Sequence, residues 1–332
     1  MGVLSLPPRR RALFLLFGFV FLSSSMKQLV TPALASELHE DSQHALDAGV
    51  RNKCWVFLHL ERNGGTTIKK ILYRRWKIAY DFYDNDQWQG GDVIAAKYAE
   101  RLLVDRQLRV IAGEHAEGLR SMVGDRCKWF TVFRHPVSQL VSAYFYCKQR
   151  PHKLGCAYEH SDKREEDLVM FAKHRGNLSF QQFMLNYVTF SELIDDAVEA
   201  SSVEEFGGLQ TGPGWNILKR YLKRLPKAAV RDMLPPMKKV LHNNYTAVGI
   251  LEQFDETLEL FNRALEMPNL EWKKWFHNSN IQMKNLQYHI QEHELLTDPL
   301  IYSKVKKYIE LDLSLYEHAV TTFNHQKEVY GI

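Results

Sequence analysis

The stretch Cys54-Trp55-Val56-Phe57-Leu58-His59-Leu60 restricts the fold more than any other part of the chain. An apolar run of this length, without polar alternation, suits a strand covered on both faces, and such strands belong to parallel sheets in layered α/β domains. A turn with adjacent glycines follows, Glu61-Arg62-Asn63-Gly64-Gly65-Thr66-Thr67, and Thr67 to Lys77 then reads as a helix. Leu108 to Ala112, Trp129 to Phe133 and Tyr245 to Leu251 are three further buried-strand runs, with helical stretches between and after them. This order predicts an α/β domain with a mainly parallel central sheet, helices on both faces and a helical C-terminal part. No internal repeat is visible, and one domain over 52–332 is expected.

The 51 residues before that domain divide into three. A tail, 1–11, carries Arg9, Arg10 and Arg11; an apolar segment, 12–26, follows; 27–51, polar and acidic from Ser36 onward, reads as stem or linker. Two readings of the apolar segment stand side by side. One is a signal anchor in a type II orientation, with the arginines cytosolic and the large C-terminal part lumenal. The other is a cleaved signal peptide ending near Ala33-Leu34-Ala35. Either delivers the body to the secretory lumen. The formal net charge of +4 is carried by Arg9, Arg10, Arg11 and Lys27, since the first 35 residues contain no acid. A formally neutral body argues against general nucleic-acid binding. With 45% apolar residues the chain has a core to bury, so disorder and fibrous repeats are excluded.

Other residues agree with a lumenal body. Asn177-Leu178-Ser179 and Asn244-Tyr245-Thr246 are glycosylation sequons. The four cysteines are an even number. Cys147 and Cys156 bracket a short polar loop that a disulfide would close. Cys54 and Cys127 each begin a strand-like run, and for that pair buried thiols and a disulfide are equally consistent with the sequence.

Two short segments carry the chemistry. In the first, Gly64 and Gly65 let main-chain N–H groups crowd an anion, the helix start adds partial positive charge, and Thr66 and Thr67 add hydroxyls. Taken alone it is equally a tight turn with a threonine cap. The nucleotide-triphosphate motif G-x-x-x-x-G-K-[ST] is absent. In the second, the strand to Phe133 ends in Arg134-His135-Pro136, and Val137, Leu140, Val141 and Tyr144 recur at helical spacing. Ser142 stands about two turns along that helix. An arginine fork with a nearby hydroxyl holds a phosphate.

Together, His59-Leu60-Glu61-Arg62-Asn63-Gly64-Gly65-Thr66-Thr67 and Arg134-His135-Pro136-Val137-Ser138-Gln139-Leu140-Val141-Ser142-Ala143-Tyr144 resemble the two donor-binding motifs of Golgi carbohydrate sulfotransferases, H-x-P-K-T-G-G-T-T and R-D-P-x-x-R-x-x-S-x-Y. Two softer segments are similar as well: Val248-Gly249-Ile250-Leu251-Glu252-Gln253-Phe254, and the terminal Leu311-Asp312-Leu313-Ser314-Leu315-Tyr316-Glu317. The resemblance spans most of residues 54 to 326 and is nearest in character to the heparan and uronyl sulfotransferase group. It implies a P-loop-like sulfotransferase fold and the donor 3′-phosphoadenosine 5′-phosphosulfate (PAPS). Arg62, Asn63, Gly64, Gly65, Thr66 and Thr67 would hold the phosphosulfate, and Arg134 and Ser142 the 3′-phosphate. Three departures from the pattern matter: the family lysine is Arg62, its threonine is Asn63, and its R-D-P aspartate is His135. An arginine neutralises the departing phosphate but does not readily protonate it.

A glycan hydroxyl also needs a proton acceptor. His115 follows the strand Leu108 to Ala112 and is expected at the carboxyl edge of the sheet, where open α/β folds bind ligands. Its ordinary pKa near 6.5 suits a base. Glu114, Glu61 and His59 are the other candidates, with His59 reading more naturally as a strand-end residue packed beside the loop. Lys69, Lys70, Arg74, Arg75 and Lys77, or Lys219, Arg220, Lys223 and Arg224, would line a groove for an anionic polysaccharide, or else form solvated helix faces. The loop Gly207 to Gly214 is flexible by composition. No metal is implied, because histidines and cysteines show no tight ligand spacing. The expectation is a Golgi-lumenal, PAPS-dependent transferase acting on a carbohydrate, with a non-catalytic glycan- or nucleotide-binding relative and an atypical P-loop kinase as alternatives.

Overall fold

The structure, a computed structural model, describes residues 54–75, 79–82, 110–113, 116, 120, 127–149, 164–187, 226–267, 272 and 298–332. All belong to one compact unit, Lys53–Ile332. The apolar segment 12–26, the stem, Glu114, His115, Cys156, the basic cluster from Lys219 to Arg224 and the loop 207–214 lie outside the described residues, as do Lys77 and the side chains of Arg74 and Arg75. Among the described residues no helix is long and apolar enough to cross a membrane.

Among the described residues, five parallel strands form one sheet: β1 (Cys54–Leu58), β2 (Ala79–Phe82), β3 (Val110–Gly113), β4 (Cys127–Phe133) and β5 (Ala247–Ile250), in the order β2-β3-β1-β4-β5. Trp55, Val56, Phe57 and Leu58 are all buried. Both faces are therefore covered, as their unbroken apolar character requires. Four of the strands correspond to the runs seen in the sequence; the fourth run is shorter than expected. β2, Ala79-Tyr80-Asp81-Phe82, was not foreseen, because four residues with an aspartate among them carry too little pattern. The first helix, α1 (Gly65–Arg75), begins two residues before its expected start.

Register decides the cysteine question. β1 and β4 pair with Cys54 opposite Cys127, their Cα atoms 4.6 Å apart, and the two form a disulfide across the amino ends of neighbouring strands. Cys147 is disulfide-bonded as well. Its expected partner, Cys156, lies outside the described residues.

Two apolar clusters flank the sheet. The larger joins the strands to α1, to α6 (Leu234–Asn244), to α7 (Phe254–Leu265) and to the long terminal helix α9 (Glu310–Tyr330). Trp55 is fixed within it by donating Nε1–H to the Leu265 carbonyl at 2.9 Å. The smaller cluster joins α2 (Pro136–Gln149), α3 (Arg164–Arg175) and α8 (Pro299–Val305) through Tyr144, Leu168, Phe171, Ile301 and Val305. The helix α4 (Leu178–Tyr187) sits at their junction, with Leu178 in the smaller cluster and Phe180 and Phe183 in the larger. A short helix, α5 (Lys227–Asp232), leads into α6.

The helix starts of α4 and α9 cap each other. Asp312 accepts from the main-chain N–H groups of Ser179 and Phe180 at 3.2 and 2.7 Å, while Asn177 Oδ1 accepts from those of Leu311 and Asp312 at 3.0 and 3.1 Å. Each satisfies donors that a helix start leaves open. The first sequon thus has a structural role: its asparagine amide oxygen is a cap and its Ser179 is buried.

Candidate functional site

Because β1 sits in the middle of the order β2-β3-β1-β4-β5, the chain leaves it first toward one edge of the sheet and later toward the other. Open α/β sheets bind ligands outside the carboxyl ends of the strands at such a reversal. The register places Leu58 opposite Gly113 of β3 and Thr131 of β4, and Phe133 opposite Ile250 of β5. The segments that follow β1, β4 and β5 therefore meet at one edge.

The turn after β1 is shaped by close contacts. Arg62 and Gly64 both have left-handed backbones, φ 63° and 79°. That conformation costs little for Gly64 and more for Arg62. A Cβ on Gly65 would lie 1.8 Å from Cδ2 of His59, and one on Gly64 would lie 2.7 Å from Cδ1 of Leu251. Gly65 is needed for space and Gly64 for its φ. Thr67 N–H returns to the Gly64 carbonyl at 2.9 Å. Among the described residues, the N–H groups of Gly64, Gly65 and Thr66 meet no protein acceptor. No acid stands in the first turn of α1 or of α2.

Side chains distant in sequence lock this turn. Gln182 donates to the His59 carbonyl at 2.6 Å and accepts the Glu61 N–H at 2.8 Å. Gln139 donates to the Glu61 carbonyl at 2.7 Å and is itself held by the Ser179 hydroxyl at 3.1 Å. Arg175 grips the Glu61 carboxylate with one nitrogen at 2.9 and 3.1 Å from its two oxygens. Arg62 extends from the turn to α2, where its Nη2 donates to Ser142 Oγ at 3.1 Å and its guanidinium lies 4.5 Å from the centre of the Tyr146 ring. The arginine of the glycine turn and the serine of α2, read from the sequence as parts of two separate anion-binding segments, are thus in contact.

At the mouth of β4 the chain turns directly into α2 at Pro136. The His135 N–H donates to Glu252 Oε1 at 2.8 Å, Tyr316 donates its hydroxyl to Glu252 Oε2 at 3.2 Å, and the rings of His135 and Tyr316 meet edge to face at 5.3 Å. All four resembling segments are thereby joined: Gly64 packs on Leu251, and Glu252 beside it ties His135 to Tyr316.

Burial settles the state of several groups. His59 is held far below the usual histidine range, to about 3, chiefly because it is buried and secondarily by the positive charges of Lys69 and Arg62. His135 is lowered by burial, with Glu252 opposing. Tyr316 is raised by burial and by Glu252, so its hydroxyl keeps its proton. Asp312 is pushed up to about 7 by burial, against three main-chain hydrogen bonds that favour the charged form.

Of the sequence-derived site residues, Arg62, Asn63, Gly64, Gly65, Thr66, Thr67, Arg134 and Ser142 fall at this edge. His115 and Glu114 lie outside the described residues. Glu61 is engaged by Arg175 and His59 is packed beneath Gly65, so neither is presented as a base. Lys69, counted in a surface cluster, is buried on α1. Gln139, Arg175, Gln182, Glu252 and Tyr316 were not anticipated as partners of the turn or the strand mouth. Gln139, Glu252 and Tyr316 stand within the resembling segments, so a signal existed for them; Arg175 and Gln182 had none. Among the described residues no three His, Cys, Asp or Glu side chains are grouped to hold a metal ion. No known protein family and no curated protein matches this chain.

Proposed function

We propose that the chain is a PAPS-dependent carbohydrate sulfotransferase with the P-loop-like sulfotransferase fold, anchored as a type II protein of the Golgi membrane with residues 52–332 in the lumen. The observation that carries this reading is the 3.1 Å contact between Arg62 and Ser142. Two segments 80 residues apart, each fit for a phosphate, are brought into contact there. The strand order and the three N–H groups without a protein acceptor support it further. So does Asn63, which is 1% exposed and has neither its amide oxygen nor its nitrogen paired, as a turn awaiting a polar ligand would leave it.

In this reading the amides of Gly64, Gly65 and Thr66 and the hydroxyls of Thr66 and Thr67 hold the phosphosulfate, and Arg134 and Ser142 the 3′-phosphate. Arg62 offsets charge on the departing oxygen. The glycan hydroxyl oxygen bonds to sulfur as the bond from sulfur to the bridging phosphate oxygen breaks, leaving 3′-phosphoadenosine 5′-phosphate. His115 takes the hydroxyl proton. Gly113, two residues before it, pairs with Leu58 immediately upstream of the turn, which favours a base from this segment. Catalysis is then alignment plus fixed positive charge, as in phosphoryl transfer.

The test is transfer of labelled sulfate from PAPS to a panel of desulfated glycosaminoglycans and N-glycans, with binding of 3′-phosphoadenosine 5′-phosphate measured alongside. Transfer is expected, with Arg134→Ala abolishing most nucleotide binding and His115→Ala sparing binding while losing turnover. Nucleotide binding without transfer to any acceptor would favour a non-catalytic relative. A preference for ATP with magnesium would favour a kinase.

A further inference from the structure

Arg62 meets one face of α2 at two points. Its Nε and Nη2 both donate to Ser142 Oγ, at 3.3 and 3.1 Å, and its Cζ stands 4.5 Å from the centre of the Tyr146 ring. Ser142 and Tyr146 are four residues apart on α2, so they lie one helical turn from each other on the same side. The two holders differ in what else is asked of them. In the proposed reaction the nucleotide's 3′-phosphate also takes the Ser142 hydroxyl, whereas the ring of Tyr146 is left to the arginine. That ring is itself placed by packing on the smaller apolar cluster. A guanidinium is planar and weakly hydrated, so an aromatic face within about 6 Å both attracts it and restricts its tilt, which a compact, strongly hydrated ammonium matches less well.

We infer that Tyr146 is a positioning residue for sulfuryl transfer: its ring holds the Arg62 guanidinium in the orientation that meets charge on the departing oxygen, and goes on holding it when Ser142 is shared with the nucleotide. The inference rests on the reading that Arg62 serves that oxygen. A serine oxygen can accept from Arg62 while its own hydrogen is donated to a phosphate, so arginine and nucleotide do not exclude one another at Ser142. In this role the ring touches no reacting atom and moves no proton. It supplies preorganisation, a charge that need not reorient as the bond to sulfur breaks. Removing the ring frees a long, partly exposed side chain that springs from a left-handed backbone at φ 63°. The loss then falls on the transition state and not on nucleotide binding. Tyr146 stands two residues beyond the second donor-binding segment, where no local pattern marks it out.

The experiment follows sulfate transfer from PAPS by the full-length chain, in detergent, to whichever desulfated glycosaminoglycan or N-glycan of the panel accepts it, with affinity for 3′-phosphoadenosine 5′-phosphate measured in parallel. Tyr146→Leu is expected to lower kcat about tenfold, while that affinity and the KM for PAPS stay within about twofold of native. Tyr146→Phe, which keeps the aromatic face, should hold kcat within about twofold of native. The deciding readout is a cycle with Arg62→Lys, which keeps the charge but not the plane. In that background Tyr146→Leu should lower kcat by about twofold at most, whereas a ring that merely supports the fold would cost the same in both. Native kcat in Tyr146→Leu, an equal fall in both backgrounds, or a Tyr146→Phe chain as slow as Tyr146→Leu overturns the inference and leaves the donor assignment standing. So does loss of nucleotide affinity together with turnover in Tyr146→Leu, which marks a structural role, or a raised kcat, which would mean that the ring parks the arginine away from the reaction. No transfer by the native chain to any acceptor overturns both.

Discussion

The turn after β1 and the mouth of β4 lie side by side and are built on opposite plans. In the turn, both main-chain polar groups of Glu61, its carboxylate and the His59 carbonyl are each claimed by a side chain between 78 and 123 residues away. At the mouth, the chain passes straight into α2, and the neighbouring contact is a single carboxylate shared by His135 and Tyr316. The first plan suits fixed donors that must not reorganise when charge develops. Rigidity in the turn comes from side chains that hydrogen-bond its backbone.

The sharpest way to break this contrast is to remove the space the turn depends on. Gly65→Ala would drive a methyl into the His59 ring. A loss of about 3 kcal/mol is expected from overpacking at a site this tight, read by chemical denaturation, whereas a substitution at His135 should cost far less. Next in size is the Arg175 grip. Arg175→Met leaves Glu61 charged in a largely buried place and is expected to cost about 2 kcal/mol, less than a fully buried pair because Glu61 retains some exposure. The double change with Glu61→Gln should recover most of it, and additive losses in that cycle would mean the pair does not hold the turn.

Proton linkage sharpens the comparison further. His59 has a folded pKa of about 3, below the 6.5 of an unfolded histidine. Its share of stability is complete above pH 6.5 and is lost as pH falls toward 3. By pH 5 that is about 2 kcal/mol, at 1.4 kcal/mol per unit, so His59→Gln should flatten the acid limb of the stability curve. Asp312 works in the other direction. Its pKa of about 7 exceeds the unfolded 3.8, so its share is complete below 3.8 and is lost as pH rises through 7. Asp312→Asn should therefore lower stability least at high pH, and a loss that grows with pH would refute the assignment. The smallest effect is expected at the mouth: Tyr316→Phe keeps the ring against His135 and loses one hydrogen bond to an exposed carboxylate, about 1 kcal/mol or less in thermal unfolding.

Local residues made much of this legible. Four strands announced themselves because a strand buried on both faces leaves an unbroken apolar run. The glycine turn and the strand-ending arginine were visible because their chemistry is compact in sequence. β2 escaped because four residues hold no periodicity, and Arg175 and Gln182 escaped because a lone arginine or glutamine on a helix looks the same whether it faces water or grips a loop. Lys69 shows the converse error: a lysine in a basic cluster reads as surface, yet the fold buries it on α1.

What the amino-acid order determined alone was a parallel α/β domain and two short phosphate-suited segments, since both depend on neighbours within about ten residues. Tertiary structure decided the remainder: that Cys54 meets Cys127, that Arg62 reaches Ser142, and that Gly64, His135, Glu252 and Tyr316 gather at one sheet edge. The reason is register. Pairing Leu58 with Thr131 and Phe133 with Ile250 sets which strand ends are neighbours, and no local pattern encodes a pairing between segments so far apart in the chain.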